Sequence, residues 1–236
     1  MAEAFTARDL AKLADYDTPT MCNALEVLDP RWRTSGFTTR PMYCRYPDQK
    51  PIVGYARTVR IASTEPSKLQ GQAAKKAKLE YYQYIETGGP RPSVCVLQDL
   101  DGDRAGFGAY WGEVQSNIHK GLGCLGCVTD GSIRDTHVWA DGFQALAGSV
   151  VPAHAWVHAV DFGGEASVFG MRVKSGDIIH ADRHGAVIVP PETVKALPKM
   201  IDKLVRREMV IIGAAKKKGF TAAKLAKAIA ESEDIH

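Results

Sequence analysis

Two short stretches of this chain place polar groups where they could do chemistry together. Gly112-Glu113-Val114-Gln115 opens a helical pattern. The backbone N–H groups of a helix N-terminus have no partner within the helix and favour a carboxylate or phosphate. Arg134-Asp135 then sets a guanidinium beside a carboxylate, twenty-two positions after Gly112. A forked guanidinium suits a carboxylate ligand. One Asp with waters and a chelating ligand suits Mg²⁺. Each signal is weak alone, because every helix has an N-terminus and Asp135 could cap a following helix.

A second polar cluster is His180-Ala181-Asp182-Arg183-His184. Strand spacing would put His180, Asp182 and His184 on one face, a triad able to bind metal or transfer protons. The plainer account is that Asp182 shapes the turn before Gly185 while the histidines make local hydrogen bonds. Two other motifs carry less. Gly121-Leu122-Gly123-Cys124-Leu125-Gly126 matches a dinucleotide fingerprint in letters, but it ends a helix and enters a strand, the reverse of what that motif needs. Cys124 and Cys127 lack a second cysteine pair for structural zinc and read as small buried residues facing opposite sides of a strand.

The elements that must position these groups follow from periodicity. Thr6 precedes one short helix and Thr18 can cap a second, and residues 29–53 read as irregular. Residues 54–64 alternate as a strand, 67–87 form a helix ended by Gly88-Gly89-Pro90, and 93–100 form a buried strand. A glycine loop at Gly106, Gly108 and Gly112 leads into a helix and then a strand from Cys124. This strand–helix–strand unit has room for parallel pairing. The loops after its two strands would then share one edge, with Gly112–Gln115 facing Arg134-Asp135 across a crevice. Residues 136–143 read as a short helix or turn, and a hairpin-rich β region runs to Pro190. Val194, Leu197, Ile201 and Leu204 then make a helical stripe that Pro198 kinks or restarts, and 221–232 form a last helix.

Composition sets the frame. With 236 residues and no composition break, the chain reads as one domain, residues 1–236, with a core at about 15–192 and C-terminal helices over 192–236. A net charge of +3 does not match nucleic acid as a partner. No apolar run approaches the ~20 residues of a membrane span. The N-terminus carries acids and lacks a signal peptide's apolar core, so the expected location is cytoplasmic. Five scattered cysteines do not resemble a secreted disulfide framework.

Gly-Glu-Val-Gln at 112–115, followed by VTDGSIRD at 128–135, resembles the RraA-like family. That family comprises regulators of ribonuclease E activity and class II pyruvate aldolases acting on 4-hydroxy-4-methyl-2-oxoglutarate and 4-carboxy-4-hydroxy-2-oxoadipate. TPTMCNALEVL, GYARTVR and VKSGDIIHADRHGAVIVP extend the resemblance over roughly residues 15–192. It implies an α/β fold, a three-layer α/β/β sandwich of swivelling-domain type with flanking N- and C-terminal helices. It implies a homotrimer or a hexamer of trimers with sites between subunits. It further implies that the Gly112, Glu113, Val114 and Gln115 loop binds a substrate carboxylate through backbone amides, that Arg134 binds the same pyruvyl group, and that Asp135 holds Mg²⁺, with Mn²⁺ the alternative. Arg134 and Asp135 would then be catalytic in a metal-dependent lyase, an aldolase or oxaloacetate decarboxylase whose metal stabilises an enolate. The other function open to this family is a non-catalytic regulator that binds a ribonuclease or RNA helicase. Two departures bear on the aldol substrate: Val138 stands where the aldolases carry an acid, and Asn23 where an Asp is common. His180, Asp182 or His184 would reach a neighbouring subunit's site and transfer protons.

Overall fold

The computed structural model describes residues 6–235; the first five residues of the acid-bearing N-terminal stretch lie outside that range. In chain order the elements begin with α1 (Ala7–Leu13), α2 (Thr18–Leu28), β1 (Tyr43–Cys44), β2 (Ile52–Ala62), α3 (Gly71–Thr87) and β3 (Ser93–Asp99). Next come β4 (Ala109–Trp111), α4 (Glu113–Gly121), β5 (Cys124–Ile133), β6 (Gln144–Val150) and β7 (His158–Phe162). The chain ends with β8 (Ala166–Val168), β9 (Met171–Val173), β10 (Ile178–Asp182), β11 (Gly185–Val189), α5 (Leu197–Ala215) and α6 (Ala222–Glu233).

One sheet runs β1-β6-β5-β3-β2-β10-β11, with β4 beside β5 and β7 beside β2. β2, β3, β5 and β6 are parallel, whereas β1, β7 and β10 pair antiparallel to their neighbours. The two-residue period of a strand divides the core. Cys95 and Leu97 of β3 join Tyr81 and Ile85 of α3 on one face. Val94 and Val96 join Val168, Met171 and Val173 of the β8–β9 hairpin on the other. Helix, sheet and hairpin thus form the expected three-layer α/β/β sandwich. α1, α2 and α5 close its side over β2, β10 and β11 through Leu10, Leu25, Leu197 and Ile201, which gives the flanking helices.

Several local expectations change. Asp17, not Thr18, caps α2, accepting from the Thr20 N–H at 2.8 Å. Asp17 is extended one residue before the helix, which is the position a cap needs. Residues 136–143, open between a short helix and a turn, form turns. Pro198 lies in the first turn of α5, where its missing N–H costs nothing, so it starts that helix. Cys124 and Cys127 are both buried in the same cluster. The register against β3 slips between Ser93 and Val94, and that bulge brings both thiols to one side. Among the described residues no helix is long and apolar enough to cross a membrane.

Candidate functional site

The register of one short strand builds the site. β4 lies parallel to β5, with Trp111 opposite Ile133. Gly112 and Arg134 each follow directly, so the α4 N-terminus and the Arg134-Asp135 pair emerge side by side at the carboxyl edge of the sheet. The Arg134 N–H donates to the Trp111 carbonyl at 2.9 Å and fixes the alignment. The loop after β3 therefore does not present the helix itself, as the strand–helix–strand reading has it; β4 intervenes. Three residues between glycines leave no readable period, which hides this strand in the sequence.

Gly112 is extended, a backbone any residue adopts; what requires glycine is space. A Cβ there would lie 2.7 Å from Asp135 Oδ2 and 3.4 Å from Arg134 Nε. Asp135 is held at φ 55°, a left-handed backbone uncommon outside glycine. Its carboxylate lies 3.5 Å from Arg134 Nε, and both side chains are about one-third exposed (36% each). Trp139 donates from Nε1 to the Arg134 carbonyl at 2.6 Å, locking the turn from below. Gly112, Arg134 and Asp135 line a cavity of about 420 Å³ with Glu113, Val114, Gln115 and Tyr110. His154 and Val157 close it from the loop before β7.

A buried polar relay anchors α4 beneath the cavity. His119 Nδ1 lies 2.8 Å from the Gln115 carbonyl, which can only accept, so this nitrogen carries the proton. Nε2 then accepts from the Tyr81 hydroxyl at 2.6 Å. Burial pushes the imidazole down to about 4, and it stays neutral at physiological pH. Tyr82 donates to Gln115 Oε1 at 3.1 Å and holds that side chain at the cavity wall. No sequence signal marks His119, Tyr81, Tyr82 or His154 as site neighbours, because the sheet, not local spacing, gathers them.

His180, Asp182 and His184 sit elsewhere. β10 runs antiparallel to β2 with Ala181 opposite Ile52, so Asp182 and His184 lie where β2 begins, at the opposite edge from Arg134. His180 is fully buried; its Nε2 donates to the Tyr16 carbonyl at 3.0 Å and Nδ1 accepts from Thr18 Oγ1 at 3.1 Å. Asp182 accepts from the Thr18 and His184 N–H groups, each at 2.8 Å, and from His184 Nδ1 at 3.1 Å. Burial raises the Asp182 carboxyl, but those amide bonds outweigh it and leave it below its usual value. The cluster fastens the α1–α2 corner to the sheet. Within one chain it does not meet Arg134 and Asp135.

The metal expectation is corrected. Among the described residues no group of three or more His, Cys, Asp or Glu is placed to hold an ion. Asp135 instead faces the Arg134 guanidinium, and a cation beside a carboxylate opposes a second cation there. Mg²⁺ or Mn²⁺ at Asp135 is therefore not supported.

The family model described as RraA-like (Aldolase/RraA) matches residues 18–188. No curated protein sequence matches the chain. Among solved structures, an uncharacterised protein from Pseudomonas syringae is similar at TM-score 0.72 and 20% identity, over 98% of this chain and 97% of that one. RraAS2 of Streptomyces coelicolor, an unusual member of the RNase ES inhibitor RraA protein family, is similar at TM-score 0.65 and 19% identity, over 92% and 100%. The RNA-processing inhibitor RraA from Thermus thermophilus is similar at TM-score 0.51 and 19% identity, over 72% and 92%. At such identities the likeness concerns the fold.

The lyase expectation is corrected with the metal. An aldolase or oxaloacetate decarboxylase of the expected kind needs a metal-assembled enolate site. The described residues gather no metal-ligand set; RraAS2 is named as an unusual member of an RNase ES inhibitor family, and the Thermus protein as an RNA-processing inhibitor. The match over residues 18–188 and the shared three-layer fold place this chain in the RraA-like family.

Proposed function

We propose that the protein is a non-catalytic regulator that acts by binding a ribonuclease or an RNA helicase. The observation that carries this reading is the fold it shares with RraAS2 and with the Thermus RNA-processing inhibitor. Exposed apolar residues on the segments that supply the cavity lining support it. Trp156 is 62% exposed, Phe107 56% and Val114 68%. Aromatic and large apolar groups left in water around a cleft are the chemistry of a protein contact. In this reading the Gly112–Gln115 amides and Arg134 receive an acidic side chain of the partner. Like the family it resembles, the chain assembles as a homotrimer or a hexamer of trimers, as one domain with its C-terminal helices from 192 onward. Sedimentation of the purified protein checks the assembly; a monomer at all concentrations would remove it.

Binding to the host's own RNase E-type ribonuclease and RNA helicase, followed by calorimetry, tests the function. Binding to one of them, lost in Phe107→Glu/Trp156→Glu with the melting temperature unchanged, supports the reading. No heat with either enzyme would overturn it.

A further inference from the structure

A second surface lies away from the cavity, on α5, beyond the family match at 188. Leu197, Ile201, Val205 and Met209 stand four apart along this helix and Ile212 follows, so they form one apolar row. The body of the chain buries Leu197 and Ile201 completely. The row then runs on uncovered: Val205 is 41% exposed, Met209 56% and Ile212 40%. α6 does not close it. That helix ends against Arg207, which donates to the Ile235 carbonyl at 2.9 Å from the far side of α5.

Two features of the row point to its occupant. Gly213 sits inside the helix, where glycine is unfavourable, yet among the described residues nothing lies within 4 Å of where its Cβ would be. No contact within the chain calls for it; a second helix in close approach would. Asp202 and Lys216, both exposed, flank the row at equal distance before and after Met209. The bond from the Tyr16 hydroxyl to Asp202, 3.4 Å long, leaves that carboxylate open to solvent. Arg206 and Glu208 stand further round the helix, on opposite sides. A second copy laid antiparallel about Met209 is complementary to the first: Met209 meets Met209, Val205 meets Gly213, and Asp202 meets Lys216 twice by symmetry. A parallel copy would set Asp202 against Asp202 and Lys216 against Lys216.

We propose that this face of α5 docks on the same face of a second copy, antiparallel, with a two-fold axis at Met209. A single pair of helix faces this short falls below the roughly 1,000 Å² that a stable interface buries. On the proposed trimer the contact recurs three times and joins two trimers into a hexamer, each contact reinforcing the others. That step rests on the trimer; the α5 pairing itself does not, and neither depends on the regulatory reading.

Cysteine cross-linking of the full chain under mild oxidation tests it, with the native chain and its own cysteines as the control. Met209→Cys, on the axis, is expected to give disulfide-linked dimers. Lys216→Cys, about 20 Å from its own copy in the antiparallel pairing, should give none. Sedimentation reads the same contact without a cross-link. Val205→Glu/Met209→Glu should halve the size of the assembly and leave the melting temperature unchanged, because both side chains are exposed. Asp202→Lys and Lys216→Asp should each weaken the assembly by about tenfold, and the two together should restore it. The pairing is overturned if Met209→Cys stays unlinked, if Lys216→Cys links as readily, if the glutamates leave the assembly intact, or if the charge swap restores nothing. Linked Met209→Cys dimers from a chain that never forms trimers would remove the trimer and keep the pairing; trimers without the link would do the reverse.

Discussion

The two edges of the sheet carry similar residues put to opposite use. At the start of β2, His180, Asp182 and His184 spend their hydrogen-bonding capacity on the chain itself, tying Tyr16 and Thr18 to β10. At the carboxyl ends of β4 and β5, the α4 amides, Arg134 and Asp135 face an open cavity. Polar residues whose partners are buried backbone groups are scaffold; those left at an opening face something that arrives from solvent. Residue type does not separate the two cases, and strand direction does.

The largest effect should come from breaking the scaffold edge. Asp182→Ala leaves the Thr18 N–H buried without an acceptor and removes an anion from the start of α2, a loss of about 3 kcal/mol. Arg134→Ala at the open edge should cost less than about 0.5 kcal/mol. Urea denaturation of both variants reads the difference, and equal losses would erase the contrast between the edges.

Acid gives the next effect, because buried His119 and half-buried Asp130 respond in opposite senses. His119, depressed to about 4 by burial, contributes stability that is complete above the unfolded value near 6.5 and is lost as pH falls toward 4. Asp130 is raised by burial to about 6, so its contribution is complete below about 3.8 and is lost as pH rises through 6. Each spans about 3 kcal/mol at most. Asp130→Asn can keep the acceptor for the Asp99 N–H, now at 2.7 Å, and is expected to raise the melting temperature at pH 7.5 but not at pH 4. A uniform shift at both values would contradict the assignment.

The smallest effect concerns the strained turn. Asp135→Gly relieves a positive φ and should stabilise the fold by up to about 1 kcal/mol while removing a carboxylate from the cavity. A destabilisation would mean that Asp135 also belongs to the scaffold.

Much of the fold was legible, and the reasons are local. α1 shows its Thr6–Asp9 capping box, α5 its apolar stripe, and β3 its run of small and branched residues. The parallel pairing of β3 with β5 follows from the helix between them. β4 was not legible, because three residues carry no period, and the shared face of Cys124 and Cys127 depends on a bulge that pairing alone creates. Gly112–Gln115 and Arg134-Asp135 stood out as polar signals, and the register of β4 explains why they meet. The surroundings did not stand out: His119, Tyr81 and His154 come from separate elements and converge only in three dimensions. The metal reading misled because a motif Asp does not show whether further ligands gather around it; among the described residues none do, and its neighbour is the Arg134 guanidinium.

The most direct test is the effect of the protein on RNA turnover by the host's RNase E-type ribonuclease and RNA helicase. RNA cleavage or unwinding should slow in proportion to added protein, with Asp135→Ala as effective as the native chain and Phe107→Glu/Trp156→Glu without effect. Unchanged rates at saturating protein, or metal-dependent release of pyruvate from an α-keto acid that Asp135→Ala abolishes, would contradict the account.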